Sequence, residues 1–134
     1  MFKITNANLL EYQVTAMVNQ ERARAHLPLL IPDDRLSEIA RLKSNDMLRN
    51  DYCGHQSPIY GSPFDMLGNF GVRYRHAGEN VAMGYRTAET VMNGWMESPG
   101  HRENILNDDY EIIGVGVVMD SSRTVYWTQL FVAY

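Results

Sequence analysis

The sequence of 134 residues lacks most of the features that mark a specialised class of protein. It has one cysteine, Cys53, so no disulfide can form within the chain. It contains no apolar run long enough to span a membrane. Met1-Phe2-Lys3 leads into a polar segment without a signal-peptide pattern. If the natural protein is secreted, we therefore expect this chain to be a mature or trimmed piece of it.

The charge balance also excludes a class of partner. The net charge is −4 and no basic stripe is present, which argues against nucleic acid. The chain is 45% hydrophobic and 21% charged, which is ordinary for a soluble globular protein. Without repeats or low-complexity linkers, its length predicts one domain over residues 1–134.

Start signals and apolar residues at helical spacing predict helices over much of the chain. The first is expected at about 7–25, with Asn8 and Glu11 as a capping pair. The other predicted helices start after Pro32-Asp33-Asp34, at Ser62-Pro63, near Thr87 and at Ser98-Pro99. Ser98 is expected to be the N-cap of the last helix.

The end of the chain changes to a strand pattern. Residues 112–119 are apolar and rich in β-branched side chains, and a turn signal at 120–123 precedes an alternating segment at 124–132. This pattern predicts an antiparallel hairpin. Residues 75–83 are a third strand candidate, although Gly78 weakens it. Helices flanking a small antiparallel sheet make an α+β sandwich.

Candidate site residues lie far apart in the sequence. In an extended strand, Glu79 points to the same side as Ala77 and Val81, and a carboxylate on an apolar face needs a partner. His55 and His101 are suitable partners if the fold brings them together. Two histidines and a carboxylate could bind a divalent cation or act as general acid and base, and the local spacing leaves both uses open.

Four stretches carry a family resemblance. They read GHQSP at 54–58, AGENVA at 77–82, SPGHREN at 98–104 and YWTQLF at 126–131. In this order they resemble the signature blocks of the CAP superfamily, which includes cysteine-rich secretory proteins, venom antigen 5 and plant pathogenesis-related proteins. The SPGHR-x-N-I form is similar to the bacterial SCP-like branch. The resemblance extends from Asn8 to Phe131 and implies a three-layer α–β–α sandwich with a surface cleft.

The resemblance also implies which residues form the cleft site. His55 and His101 match the two family histidines, and Glu79 matches the glutamate of the GEN block. The second acidic position of the eukaryotic pattern falls on Ser98, so Glu97, one residue earlier, is only a candidate for the fourth member. The missing cysteines exclude the disulfides and the cysteine-rich extension of many animal members.

Function is expected from the same resemblance. It implies an extracellular, envelope- or spore-associated protein that binds a lipid, a cell-wall fragment or a protein partner. We expect a divalent cation, zinc by preference, to bridge His55 and His101, and ligand contacts from Asn80, Ser98 and Gln129. The alternative is a metal-dependent or acid–base hydrolase of peptide or cell-wall material, so catalysis stays open.

Several reactive side chains are better explained by structure than by chemistry. His26 should end a helix, and His76 should lie on the strand face opposite Glu79. Ser57 and Ser98 precede prolines and suit turns or caps, and no Gly-x-Ser-x-Gly elbow is present. Nothing in the sequence indicates a lowered pKa for Cys53, so it is not expected to be a nucleophile.

Overall fold

The computed structural model describes residues 6–134, which form five helices and four strands. The elements are α1 (Asn6–Arg24), β1 (Ile31–Pro32), α2 (Asp34–Arg49), α3 (Pro63–Asn69), β2 (His76–Met83), α4 (Ala88–Glu97), α5 (Pro99–Ile105), β3 (Ile112–Met119) and β4 (Val125–Ala133). Met1-Phe2-Lys3, on which the signal-peptide interpretation rests, lies outside the described residues. No helix in the described part is long and apolar enough to cross a membrane.

The helix starts follow the sequence signals with two corrections. α3 begins with a capping box in which Ser62 and Asp65 exchange hydrogen bonds, as its Ser-Pro signal predicts. Ser98 does occupy the N-cap of α5, but its hydroxyl makes no capping hydrogen bond. Asn8 lies inside α1 instead of capping it, although its amide donates to Glu11 at 3.3 Å.

The sheet has the strand order β1-β3-β4-β2. The β3–β4 hairpin is confirmed, with Val117 opposite Trp127, and β2 pairs antiparallel with β4. The predicted antiparallel sheet is confirmed for β2, β3 and β4, and β1, which was not predicted, adds a short parallel pairing with the start of β3. β1 has two residues, too few for a period in the sequence to reveal it.

The helices cover both faces of the sheet, which confirms the α+β, three-layer architecture. One core lies between α1, α4, α5 and the sheet, around Trp95 and Trp127. A second lies between α2, α3 and the other face, around Leu130. Gly116 lets α2 approach the sheet closely, because a Cβ there would lie 2.1 Å from the Arg41 backbone nitrogen.

A buried arginine holds α5 against α1. Arg22 is fully buried, and its guanidinium donates to the carbonyls of Pro28, Ile105 and Asn107 at 2.8–3.0 Å. The two carbonyls at the end of α5 would otherwise lack helical partners. Arg22 therefore helps to place the helix that carries His101.

Candidate functional site

The predicted site residues gather around β2, an edge strand of the sheet. Adjacent residues of a strand point to opposite faces. Glu79 accordingly faces the layer of α2 and α3, whereas Asn80 faces α5 and hydrogen-bonds to it. The site is therefore divided by the edge strand.

Glu79 and His55 form the central contact. Nδ1 of His55 lies 2.9 Å from Oε1 of Glu79, a carboxylate that is only 4% exposed. This hydrogen bond is the main cause of a raised pKa of His55. It also makes Nδ1 the protonated nitrogen and leaves Nε2 for a ligand or a metal.

The second carboxylate oxygen of Glu79 is an unusual feature. Oε2 is buried and has no hydrogen-bond partner within residues 6–134. A buried acceptor without a donor costs about 1–3 kcal/mol. Such exceptions call for an explanation, and one explanation is a functional role.

Lys43, which the sequence patterns did not reveal, holds the backbone beside His55. Its ammonium group is buried, donates to the His55 carbonyl at 2.9 Å and lies 5.3 Å from the centre of the Tyr52 ring. Burial lowers the pKa of Lys43, and the negative charge of Glu79 opposes this shift. A lysine at a helical position next to polar residues gives no local signal of such burial.

Ser57 and Asp46 fix the loop that follows His55. The Ser57 hydroxyl donates to Oδ2 of Asp46 at 2.5 Å and accepts from the N–H groups of Ile59 and Tyr60 at 3.0 and 2.9 Å. These bonds confirm that Ser57 is a turn residue. They engage its hydroxyl fully, so it is not presented as a nucleophile.

Cys53 precedes this loop as an exposed free thiol. Partial desolvation raises its pKa, and the positive charge of Lys43 opposes the shift. A raised pKa reduces the thiolate fraction at neutral pH. The structure agrees with the prediction that Cys53 is not an activated nucleophile.

A network of amides places His101 on the other side of β2. The Asn80 side chain donates to the His101 carbonyl at 3.1 Å and to Gln129 Oε1 at 3.0 Å. Asn104 donates to Asn80 Oδ1 at 2.9 Å. Burial lowers the pKa of His101, and the charge of His55 lowers it further. A lowered pKa favours the neutral imidazole of His101 at neutral pH.

Three predicted residues do not reach the site surface as expected. Asn80 and Gln129 are completely buried, so they support α5 and cannot touch a ligand in this conformation. Glu97 is exposed at the end of α4. Within the described residues, no hydrogen bond or ion pair joins Glu97 to His55 or His101.

The two histidines that were predicted to lie outside the site, His26 and His76, are at the surface. His26 follows the end of α1 with a φ of 59°, and His76 is exposed at the start of β2. Both positions agree with the interpretation that neither belongs to the site.

A cleft of about 420 Å³ opens beside β2. Its lining includes His55, Phe64, Gly78, Glu79, Asn104 and Tyr110, but not His101. Gly78 leaves the space that Tyr110 occupies, because a Cβ at this position would lie 2.3 Å from the Tyr110 hydroxyl. Gly78, which weakened the strand prediction, thus allows Tyr110 to line the cleft.

The donor set for a metal is small. Within residues 6–134, no group of three or more histidine, cysteine, aspartate or glutamate side chains could hold a metal ion together. His55 Nε2 and the neutral His101 are two nitrogen donors. They fit a cation only if water or a ligand completes the coordination.

Residues 15–131 match the family described as CAP, the cysteine-rich secretory protein family. The chain belongs to the CAP family. This membership confirms the resemblance found in the four sequence stretches. It also agrees with the fold, since CAP structures with the SCP domain superpose on this chain.

Two bacterial proteins are similar to this CAP chain over nearly all of its length. It is 47% identical over 128 residues to the uncharacterized protein YkwD of Bacillus subtilis, a match covering 96% of this chain and 49% of YkwD. An extracellular SCP-domain protein of Bacillus anthracis is 32% identical, with a TM-score of 0.89 over 100% of this chain and 45% of its own. The chain thus spans about half the length of each.

A more distant structure shares the fold over nearly its whole length. An outer surface protein of Borrelia burgdorferi is 21% identical, with a TM-score of 0.88 over 96% of both chains. At this identity the likeness supports the CAP fold alone.

Proposed function

We propose that this CAP chain is a ligand-binding module and that its cleft beside β2 is the binding site. The observation that carries the proposal is the meeting of unsatisfied polar groups and exposed aromatic surface in one cleft. The Tyr110 hydroxyl has no hydrogen-bond partner within the described residues, and Phe64 is 51% exposed. Binding sites combine apolar walls with a few such polar groups.

Glu79 supports this role because it stays buried with one oxygen unpaired. Its hydrogen bond to His55 orients the imidazole and leaves Nε2 without a partner in the described residues. A ligand with a hydroxyl or amide group could bind to these groups. Lipid head groups, cell-wall fragments and protein partners all carry such groups, and the proposal includes all three.

The proposed location is outside the cell, in the envelope or on the spore. The Bacillus anthracis protein, which is 32% identical to this chain, is described as extracellular. This description belongs to the relative and supports the proposal by analogy.

A divalent cation, with zinc as first choice, is proposed as an accessory ligand of His55 and His101. Glu79 would act through His55, as carboxylates commonly do behind a metal-bound histidine. The cation would supply positive charge for an anionic or carbonyl group of the ligand. His101 suits this role because its lowered pKa keeps its imidazole neutral.

The second candidate is a hydrolase of peptide or cell-wall material. The His55–Glu79 pair favours it, since a histidine oriented by a carboxylate is a common general base. Hydrolysis by acyl transfer would also need a nucleophile and an oxyanion stabiliser. Ser57 is engaged by Asp46 and two backbone N–H groups, so it does not supply the nucleophile.

Binding and turnover can be measured on one panel of bacterial lipids, peptidoglycan fragments and casein. We expect mass spectrometry of the intact complex to detect binding of at least one class without release of cleavage products. Phe64→Ala should weaken that binding, and Phe70→Ala is the matched control because Phe70 is exposed outside the cleft lining. Cleavage that is lost in Glu79→Gln would favour the hydrolase instead. No binding to any class, or equal binding by Phe64→Ala, would contradict the proposal.

A further inference from the structure

The outer edge of β2 carries backbone groups that face away from β4. Gly84 donates its N–H to the Val125 carbonyl, and the register pairs Met83 with Tyr126. Backbone groups of an antiparallel strand alternate between its two edges. The even-numbered residues of β2 therefore bond to β4, and the odd-numbered residues direct their N–H and C=O groups outward.

Side chains of α4 and α5 occupy one part of this outer edge. The Trp95 indole N–H donates to the Val81 carbonyl at 3.2 Å, and Asn104 donates to the Glu79 carbonyl at 3.2 Å. Both carbonyls point away from β4, as the register requires. The edge is thus covered towards the end of β2.

The beginning of the edge is open and lies in the cleft. Within the described residues, no hydrogen bond is made by the N–H and C=O groups of Ala77 or by the N–H of Glu79. Both residues line the cleft. Alternate residues of a strand are about 7 Å apart, so these groups match the repeat of an extended peptide.

Aromatic side chains lie beside this open edge on both faces of the sheet. Phe64 belongs to α3, in the layer that packs beneath Ala77, and Tyr110 belongs to the opposite layer, where it stacks on Phe131 at 5.4 Å. Successive side chains of a strand added here would alternate between the two faces. They would meet Phe64 on one side and Tyr110 on the other.

We infer that the partner of this cleft is an extended peptide segment that adds as a strand to the open edge of β2 and hydrogen-bonds to Ala77 and Glu79. Backbone bonds would supply affinity, and the two aromatic walls would select alternate side chains. The inference rests on the proposed binding function and names the partner class. A lipid or a glycan has no regular row of amides to match this edge.

The test uses a display library of random short peptides, selected on the full chain. The variant Ala77→Pro removes one outward N–H and places the proline ring in the path of the added strand. An edge strand tolerates proline where the N–H has no partner. Met83→Pro is the matched control, because Met83 directs its N–H outward from the same strand but lies outside the cleft lining.

We expect selected peptides to bind the parent and the Met83→Pro variant alike, and Ala77→Pro at least about tenfold more weakly. An amide-to-ester change at one peptide position should have a comparable effect, about tenfold or 1.4 kcal/mol. This second measurement needs no protein variant, so it stands even if Ala77→Pro melts early. No enriched peptide, or peptides that bind Ala77→Pro as well as the parent and ignore the ester, would overturn the inference.

The two proposals fail in different ways. Lipids or glycans that bind in the cleft while no peptide is selected would leave the binding function intact and refute strand addition. No binding by lipids, glycans or peptides would refute both.

Discussion

Replacing Glu79 with glutamine tests the contact at the centre of the site. Glu79→Gln keeps the shape of the side chain but removes the charge that faces His55 at 2.9 Å. Hydrogen bonds to charged groups contribute about 1.5–3 kcal/mol. The His55 side chain is 57% exposed, so solvent screening reduces the expected contribution to about 1 kcal/mol.

The loss should depend on pH in a defined direction. The pKa of His55 is raised in the folded chain, chiefly by the hydrogen bond to Glu79. Stability from this pair is therefore fully present below the unfolded histidine pKa of about 6.5, and it is lost as the pH rises through the folded pKa. Glu79→Gln should destabilise the chain more at about pH 5.5 than at about pH 8.

Two measurements check this prediction. Thermal unfolding should show a melting temperature lower by roughly 3–6 °C at the acidic pH. A proton NMR titration should show a lower pKa of His55 in the variant than in the parent. Equal melting temperatures at both pH values, with an unchanged His55 titration, would refute the pairing of Glu79 and His55.

The proposed zinc site and the single cysteine each give a further prediction. Calorimetric titration with zinc should show binding to the parent at about pH 7.5 and weaker binding at about pH 5.5, where His55 is protonated. The variant with both His55→Ala and His101→Ala should bind no zinc. Equal zinc uptake by the parent and this variant would contradict the metal site. Thiol titration of the unfolded protein should find one reactive group, Cys53, and finding none without reductant would mean that it is modified or bridged between chains.

The types of most elements could be predicted because their signals are local. The capping box that starts α3 uses residues three positions apart, and the β3–β4 hairpin shows in a β-branched run followed by a turn. Capping, turn geometry and side-chain periodicity depend on near neighbours in the chain. The parallel pairing of β1 had no such signal, since two residues define no period.

The sequence named candidate site residues but could not show how their side chains are arranged. His55 and Glu79 are 24 residues apart, and only the path of the chain brings them together. Asn80 and Gln129 were expected to touch a ligand, but they lie opposite each other on paired strands and are buried beneath α5. A pattern of residues shows which chemistry is available, whereas packing decides which atoms face solvent.

Sequence alone determined the α+β class, through local periodicity, and the family, through the order of the four motif stretches. Tertiary structure alone decided that Lys43 and Asp46 anchor the loop of His55, and that β2 separates Glu79 from the amide network beside His101. These contacts join elements distant in the chain, and their partners depend on how the layers pack. The open edge at Ala77 exists for the same reason, since it depends on which strand ends the sheet and on how far α4 and α5 cover it.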